Sequence, residues 1–95
     1  MAFFIINVNG EIMSKKQKMI IRLKSKPKDF TFDEMETLLL SLGFRKSNKG
    51  RTSGSKVIFL GAANDIILHK PHPRNELKPY QVNHVLDVLK LEGKI

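Results

Sequence analysis

The sequence predicts an α+β fold in which helices pack on one face of a three-stranded antiparallel sheet, in the order α-α-β-β-β-α. Three observations lead to this prediction. Apolar residues recur at helical spacing before and after the middle of the chain. Between these stretches, short apolar runs are separated by tight turns, which is typical of an antiparallel meander. With 95 residues, 41% of them hydrophobic, the chain can form one domain of two packed layers.

The first residues, 1–13, are interpreted as an extension to a single domain over residues 14–95. Their apolar run is too short to span a membrane, and they lack the basic start and cleavage site of a signal peptide. Two interpretations stay open. Asn9-Gly10 suits a type I′ turn, which would place a short strand or hairpin here. Alternatively, MSKKQK resembles a true start, so the residues before Met13 would be a non-native leader.

Two helices are predicted in the first half of the domain. The first covers Ser14 to Ser25, with apolar residues on one face and lysines on the other, and Pro27 disfavours its continuation. The second begins with a T-x-x-E capping box, Thr31 and Glu34, and stops at Gly43. Its apolar stripe consists of Phe32, Met35, Leu38, Leu39 and Leu42.

Three strands and a last helix follow. The strands are predicted over residues 44–49, 55–60 and 65–70, with turns over residues 48–54 and 61–64. The stretch PHPRNELKP is an irregular connection that its prolines keep extended. The last helix runs from Pro79 to Leu91, because proline suits a first helical turn and the apolar residues after it have the spacing of a core face.

The charge of the chain indicates a polyanionic partner. Seventeen Lys and Arg against nine Asp and Glu give a net charge of +8. Residues 15–28 and residues 45–64 carry many cations and no acid, which favours nucleic acid over an acidic protein or a membrane surface. Cysteine is absent, so disulfides, thiolate catalysis and cysteine-bound zinc are excluded. This composition fits a cytoplasmic location.

The three histidines do not form a metal-binding pattern, so neither a metal nor another cofactor is predicted. His84 lies in the last helix, where a structural role is favoured. His69 and His72 lie at the edge of the predicted sheet, where a ligand could reach them, although a solvated histidine is an equally good interpretation. No nucleophile elbow or Walker-type loop is present. KGRTSGSK, before the middle strand, has residues suited to phosphate, but alone it is typical of a hairpin turn.

Two motifs resemble those of the HicA-type toxins of toxin–antitoxin pairs. A helix ending in LLLSLGF is followed by a basic turn and SGSKVIF, and a later strand leads into KPHPRNELKPYQVNHVL. The family has a G-S-H step at the middle strand and an H-P-x-x-E/D-L-K-P segment before the last helix. The resemblance covers roughly residues 16–95. It implies a double-stranded-RNA-binding-like fold, cleavage of messenger RNA, and inhibition by a HicB-type antitoxin protein.

The chain departs from the family at Lys56, which occupies the position of the histidine in G-S-H. Metal-free RNA cleavage needs a base for the 2′-hydroxyl proton and an acid for the leaving 5′-oxygen, and histidine suits both roles. A lysine, ordinarily with a pKa near 10.4, suits phosphate binding instead. The candidate catalytic residues are therefore Lys56 and Ser55, with His69 or His72 assisting.

The predicted RNA-binding residues are Arg45, Lys46, Lys49, Arg51, Lys56, Lys70 and Arg74. Double-stranded-RNA-binding domains have a lysine cluster at the start of the last helix, whereas this chain has Lys78 alone there, so contact with single-stranded message is favoured. Two hypotheses stay open. The chain is either a messenger RNA endoribonuclease or a module on the same fold that binds RNA or an antitoxin without cleavage.

Overall fold

The computed structural model describes residues 14–47 and 55–95. Within these residues it contains three helices and one three-stranded antiparallel sheet, which confirms the predicted fold class and element order. The elements are α1 (Lys15–Lys24), α2 (Phe32–Ser41), β1 (Arg45–Lys46), β2 (Lys56–Leu60), β3 (Ile66–His69) and α3 (Pro79–Leu91). The hairpin or leader proposed for residues 1–13 and the turn proposed for residues 48–54 lie outside the described residues.

The starts of α1 and α2 are fixed by capping boxes. The Ser14 hydroxyl accepts from the Gln17 N–H at 3.1 Å, and the Gln17 side chain accepts from the Ser14 N–H at 2.9 Å. Thr31 and Glu34 make the same reciprocal pair at the start of α2, as the sequence predicts. Both pairs satisfy backbone N–H groups that a helix start otherwise leaves without partners.

Helix α2 ends in a Schellman motif. Gly43 has a φ of +97°, its N–H donates to the Leu40 carbonyl at 3.2 Å, and the Phe44 N–H donates to the Leu39 carbonyl at 3.0 Å. Because Phe44 closes the helix in this way, it does not begin the first strand. That strand was predicted over residues 44–49 and is described only as Arg45–Lys46.

The sheet has the strand order β1-β2-β3, and its helix-facing side forms half of the core. Phe59, Ile66 and Leu68 are fully buried on that side, whereas Ile67 is 44% exposed on the other. This alternation places the three described helices on one face, and no helix among residues 14–47 and 55–95 covers the opposite face, which we call the open face. The helices complete the core with Leu23, Met35, Leu38, Leu39, Val82, Val85 and Leu89.

A candidate RNA-binding and cleavage site

The open face of the sheet brings Lys56 and His69 together. Lys56 at the start of β2 is the direct partner of His69 at the end of β3. Side chains of directly opposed residues in an antiparallel pair lie on the same face, with Cβ atoms about 4.5–5.5 Å apart. The Lys56 ammonium and the His69 ring can therefore reach one phosphate group.

A cleft of about 270 Å³ opens beside this pair, between the strand ends and the start of α3. We call it the His69 cleft; its lining includes Ser55, His69, Lys70, His72, Lys78 and Tyr80. The Lys70 N–H donates to the Ser55 carbonyl at 2.9 Å, so the pairing of β2 and β3 continues to the edge of the cleft. Three of the four predicted catalytic residues thus line one cleft, and Lys56 adjoins it.

Gln81 fixes the rear wall of the His69 cleft. It is 4% exposed, and its Nε2 donates to the His69 carbonyl at 3.0 Å. Its Oε1 accepts from the Lys78 N–H at 3.3 Å, at the start of α3. One amide side chain therefore joins the end of β3 to the start of α3. Gln81 was not predicted as a site residue, although a glutamine three positions after the N-cap residue of a helix is the second half of a capping-box pattern.

The extended segment after β3 is attached to the loop that precedes α2. The Leu77 N–H donates to the Phe30 carbonyl and the Phe32 N–H donates to the Asn75 carbonyl, both at 2.8 Å. Thr31 and Glu76 form an isolated antiparallel bridge between these bonds. The buried Leu77 side chain completes the attachment. His72 and Arg74 are consequently carried by a segment with a defined position.

The predicted RNA-binding residues do not all share one surface. Lys70 places its Nζ 5.6 Å from the centroid of the Phe32 ring, on the helix side of the sheet. Arg45 lies on the open face but pairs with Leu60, at the end of β2 opposite to Lys56. Lys49 and Arg51 lie outside the described residues.

Lys46 and His84 occupy surroundings that the sequence did not indicate. Lys46 points toward the helices, where its Nζ lies 2.8 Å from Glu36 Oε1, so its charge is paired. His84 is exposed on α3, and the structural role favoured for it is wrong because its side chain lies outside the core.

Two arginine contacts hold α1 against α2, away from the cleft. The Arg22 guanidinium lies 2.6 Å from Glu34 Oε2 and 3.1 Å from Asp29 Oδ1. Its central carbon lies 4.8 Å from the centroid of the Phe30 ring, over the ring face. Burial alone would raise the pKa of Glu34. Hydrogen bonds from the Thr31 N–H and hydroxyl, together with Arg22, outweigh burial and lower that pKa below its ordinary value of 4.5.

Residues 14–47 and 55–95 contain neither a cluster of metal-binding side chains nor a membrane-spanning helix. No three histidine or carboxylate side chains there are grouped so that they could hold a metal ion. No helix in the same part of the chain has the length and apolar character needed to cross a membrane.

Comparison with protein families gives a match over residues 32–91, which is more than half of the chain. The matching family model is described as the HicA toxin of bacterial toxin-antitoxin. The matched range runs from the first residue of α2 to the last residue of α3, so it includes the whole sheet and the His69 cleft. No curated protein and no solved structure gives a significant match.

Proposed function

The chain belongs to the HicA toxin family, and from that premise we propose that it is a metal-independent endoribonuclease that cleaves messenger RNA. The observation that carries this proposal is the grouping of Ser55, His69 and His72 in one cleft beside Lys56. Imidazoles can supply the base and the acid of phosphodiester transfer when no metal takes part, and a primary amine can stabilise the negative charge that develops on the phosphate.

The proposed reaction is an internal displacement at phosphorus. A histidine, His69 or His72, takes the proton of the RNA 2′-hydroxyl as that oxygen bonds to the adjacent phosphorus. The bond from phosphorus to the 5′-oxygen breaks, and a protonated group of the site donates a proton to the leaving oxygen. The products are a 2′,3′-cyclic phosphate and a 5′-hydroxyl. Lys56 binds the phosphate oxygens and stabilises the negative charge that they gain in the transition state.

The partners in this proposal are messenger RNA and a HicB-type antitoxin protein. Support for the first comes from the net charge of +8 and from the cations around the His69 cleft. Support for the second comes from the family description, which places the HicA toxin in a toxin–antitoxin system. We further propose that both encounters occur in the cytoplasm, in agreement with the absence of cysteine.

A second candidate function is favoured by Lys56 itself. The family resemblance places a histidine at this position, and a lysine with an ordinary pKa cannot replace it as a general base at neutral pH. Under this alternative, the chain binds RNA or antitoxin and does not cleave.

The test is cleavage of a fluorescent single-stranded RNA by the purified protein in excess EDTA, together with growth and messenger RNA levels after expression. The variants are Lys56→Ala, His69→Ala and His72→Ala, with His84→Ala as the matched control because His84 is exposed outside the cleft. We expect cleavage that EDTA does not stop, loss of at least about a hundredfold in rate for one histidine variant and for Lys56→Ala, and no loss for the control.

Each contrary outcome identifies what has failed. Full activity in both His69→Ala and His72→Ala would refute the assignment of the base. RNA binding without growth arrest or cleavage would favour the binding module. Cleavage that requires an added divalent cation would refute the metal-independent mechanism.

A further inference from the structure

A second cleft adjoins the His69 cleft and is not used by the proposed chemistry. It has a volume of about 340 Å³, and we call it the Arg74 cleft. The residues of its lining that matter here are Lys28, His72, Arg74, Glu76 and Lys78. His72 and Lys78 also line the His69 cleft, so the two clefts form one continuous surface.

The cations of the Arg74 cleft come from two separate parts of the chain. Lys28 lies in the loop after α1, whereas Arg74 and Lys78 lie in the extended segment between β3 and α3. The backbone bonds from Leu77 to the Phe30 carbonyl and from Phe32 to the Asn75 carbonyl hold these two parts side by side. The grouping therefore follows from the fold and is more than a run of lysines along one helix.

The charge of the Arg74 cleft is positive and is not neutralised by ion pairs. Three cations face one carboxylate, that of Glu76. Among residues 14–47 and 55–95, ion pairs are formed by Arg22 and Lys46, and none involves Lys28, Arg74 or Lys78. A positive concave surface of this kind attracts a polyanion.

Tyr80 adds an aromatic surface to the His69 cleft, two residues after Lys78, which lines both clefts. It is the single tyrosine of the chain, it is 62% exposed, and it lines the His69 cleft. An exposed aromatic ring beside cations is the arrangement with which proteins bind unpaired nucleic acid, because bases stack on the ring while the cations contact the phosphates. Bases in a duplex are already stacked on each other and cannot stack on the Tyr80 ring.

We propose that an unpaired RNA strand crosses both clefts, with one base stacked on Tyr80 and the flanking phosphates bound by Lys28 and Arg74. This inference rests on the proposed function for the identity of the ligand as RNA. It goes beyond that function because it adds Lys28 and Tyr80 as binding residues and assigns the phosphates and one base of the strand to named side chains. RNA is preferred to an acidic protein segment because the Arg74 cleft continues directly into the site with the candidate catalytic groups.

The experiment measures binding of the intact chain to a short single-stranded oligonucleotide with 2′-O-methyl riboses, which cannot supply the attacking hydroxyl. Affinity is measured at several salt concentrations for wild type, Lys28→Ala/Arg74→Ala and Tyr80→Ala. Lys90→Ala/Lys94→Ala is the matched control, since it removes the same charge from residues that line neither cleft; along α3, Lys90 lies about 18 Å from Lys78. Tyr80→Phe is a second control that keeps the aromatic ring.

We expect the Lys28/Arg74 double variant to lower the salt slope of log K by about 1.4, because each single-strand phosphate contact contributes about 0.7. Tyr80→Ala should raise Kd about tenfold, whereas Tyr80→Phe should change it little. A duplex of the same sequence should bind more weakly than the single strand and should be insensitive to Tyr80→Ala. Circular dichroism of each variant checks that it is folded.

Several results would overturn the inference. These are equal salt slopes for the double variant and its control, a duplex affinity equal to that of the single strand, or no binding of the oligonucleotide by wild type. Loss of poly-glutamate binding with unchanged oligonucleotide binding in the double variant would overturn it in favour of an acidic protein segment. Because the oligonucleotide cannot be cleaved, these results are independent of whether the chain is a nuclease.

Discussion

The substitution Gln81→Met removes the two hydrogen bonds that join β3 to α3 and keeps the volume of the side chain. Gln81 is 4% exposed, donates to the His69 carbonyl at 3.0 Å, and accepts from the Lys78 N–H at 3.3 Å. Glutamine and methionine have similar helix propensity, so the backbone of α3 contributes little to the difference. The decrease in the free energy of unfolding therefore measures the contribution of the two hydrogen bonds.

The expected loss is about 2 kcal/mol in the free energy of unfolding. Each intramolecular hydrogen bond contributes about 1 kcal/mol net, and the cost rises when a partner is left buried without a replacement. Both partners of Gln81 are backbone groups, which the substitution cannot remove. In a domain of this size, about 2 kcal/mol corresponds to a decrease in Tm of about 8–16 °C.

The assay is urea unfolding followed by circular dichroism, with Asn83→Met as the matched control. Asn83 is exposed on the same turn of α3, so the control introduces the same side chain without removing a described hydrogen bond. We expect the midpoint of Gln81→Met to decrease with an unchanged slope m. The reasoning is refuted if the unfolding free energies of the two variants lie within about 0.5 kcal/mol of each other.

Two further substitutions test the packing and the electrostatics of the fold. Gly61→Ala should destabilise the protein by about 3 kcal/mol in thermal unfolding, since its Cβ would lie 2.2 Å from the Asn64 carbonyl oxygen; a Tm equal to that of wild type would contradict this close approach. Glu34→Gln should reduce stability at neutral pH and progressively less so as the pH falls below 4.5. The reason is that a carboxyl with a lowered pKa stabilises the fold at pH values above its ordinary pKa and loses that effect when it is protonated. If the stability difference between wild type and Glu34→Gln is the same at pH 7 and at about pH 3, the charge of Glu34 is not involved.

The helices were predictable because their signals are local. The capping box of Thr31 and Glu34 and the stop at Gly43 act within a few residues, and the described α2 agrees with them. The first helix shows the limit of such signals. Pro27 stops α1 as predicted, but Lys26 takes a left-handed conformation with φ of +53°, which usually favours glycine. A proline disfavours the helical conformation for the residue before it, but it does not determine which other conformation that residue adopts.

The candidate site was predictable only in part, because its parts are distant in the sequence. His69 and His72 were candidates because the predicted sheet places them at its edge, and the matching family model confirms the family. The resemblance added the comparison of Lys56 with the family histidine. It could not show that Lys56 is the direct partner of His69, since strand register depends on how the whole sheet packs. Gln81 and Lys28 were missed for the same reason: each acts on a segment that is remote in the chain.

The segment over residues 71–78 explains why these distant parts form one site. Its eight residues belong to no helix and to no strand of the sheet, so its position depends on bonds to the loop before α2 and on the burial of Leu77. Those bonds also place Arg74 beside Lys28 and His72 beside Ser55. A change that detached the segment, such as Leu77→Ser, would separate both clefts from the sheet at once. Under both proposals, RNA binding and cleavage depend on the same few contacts, and the surface cations contribute to them only while that segment stays attached.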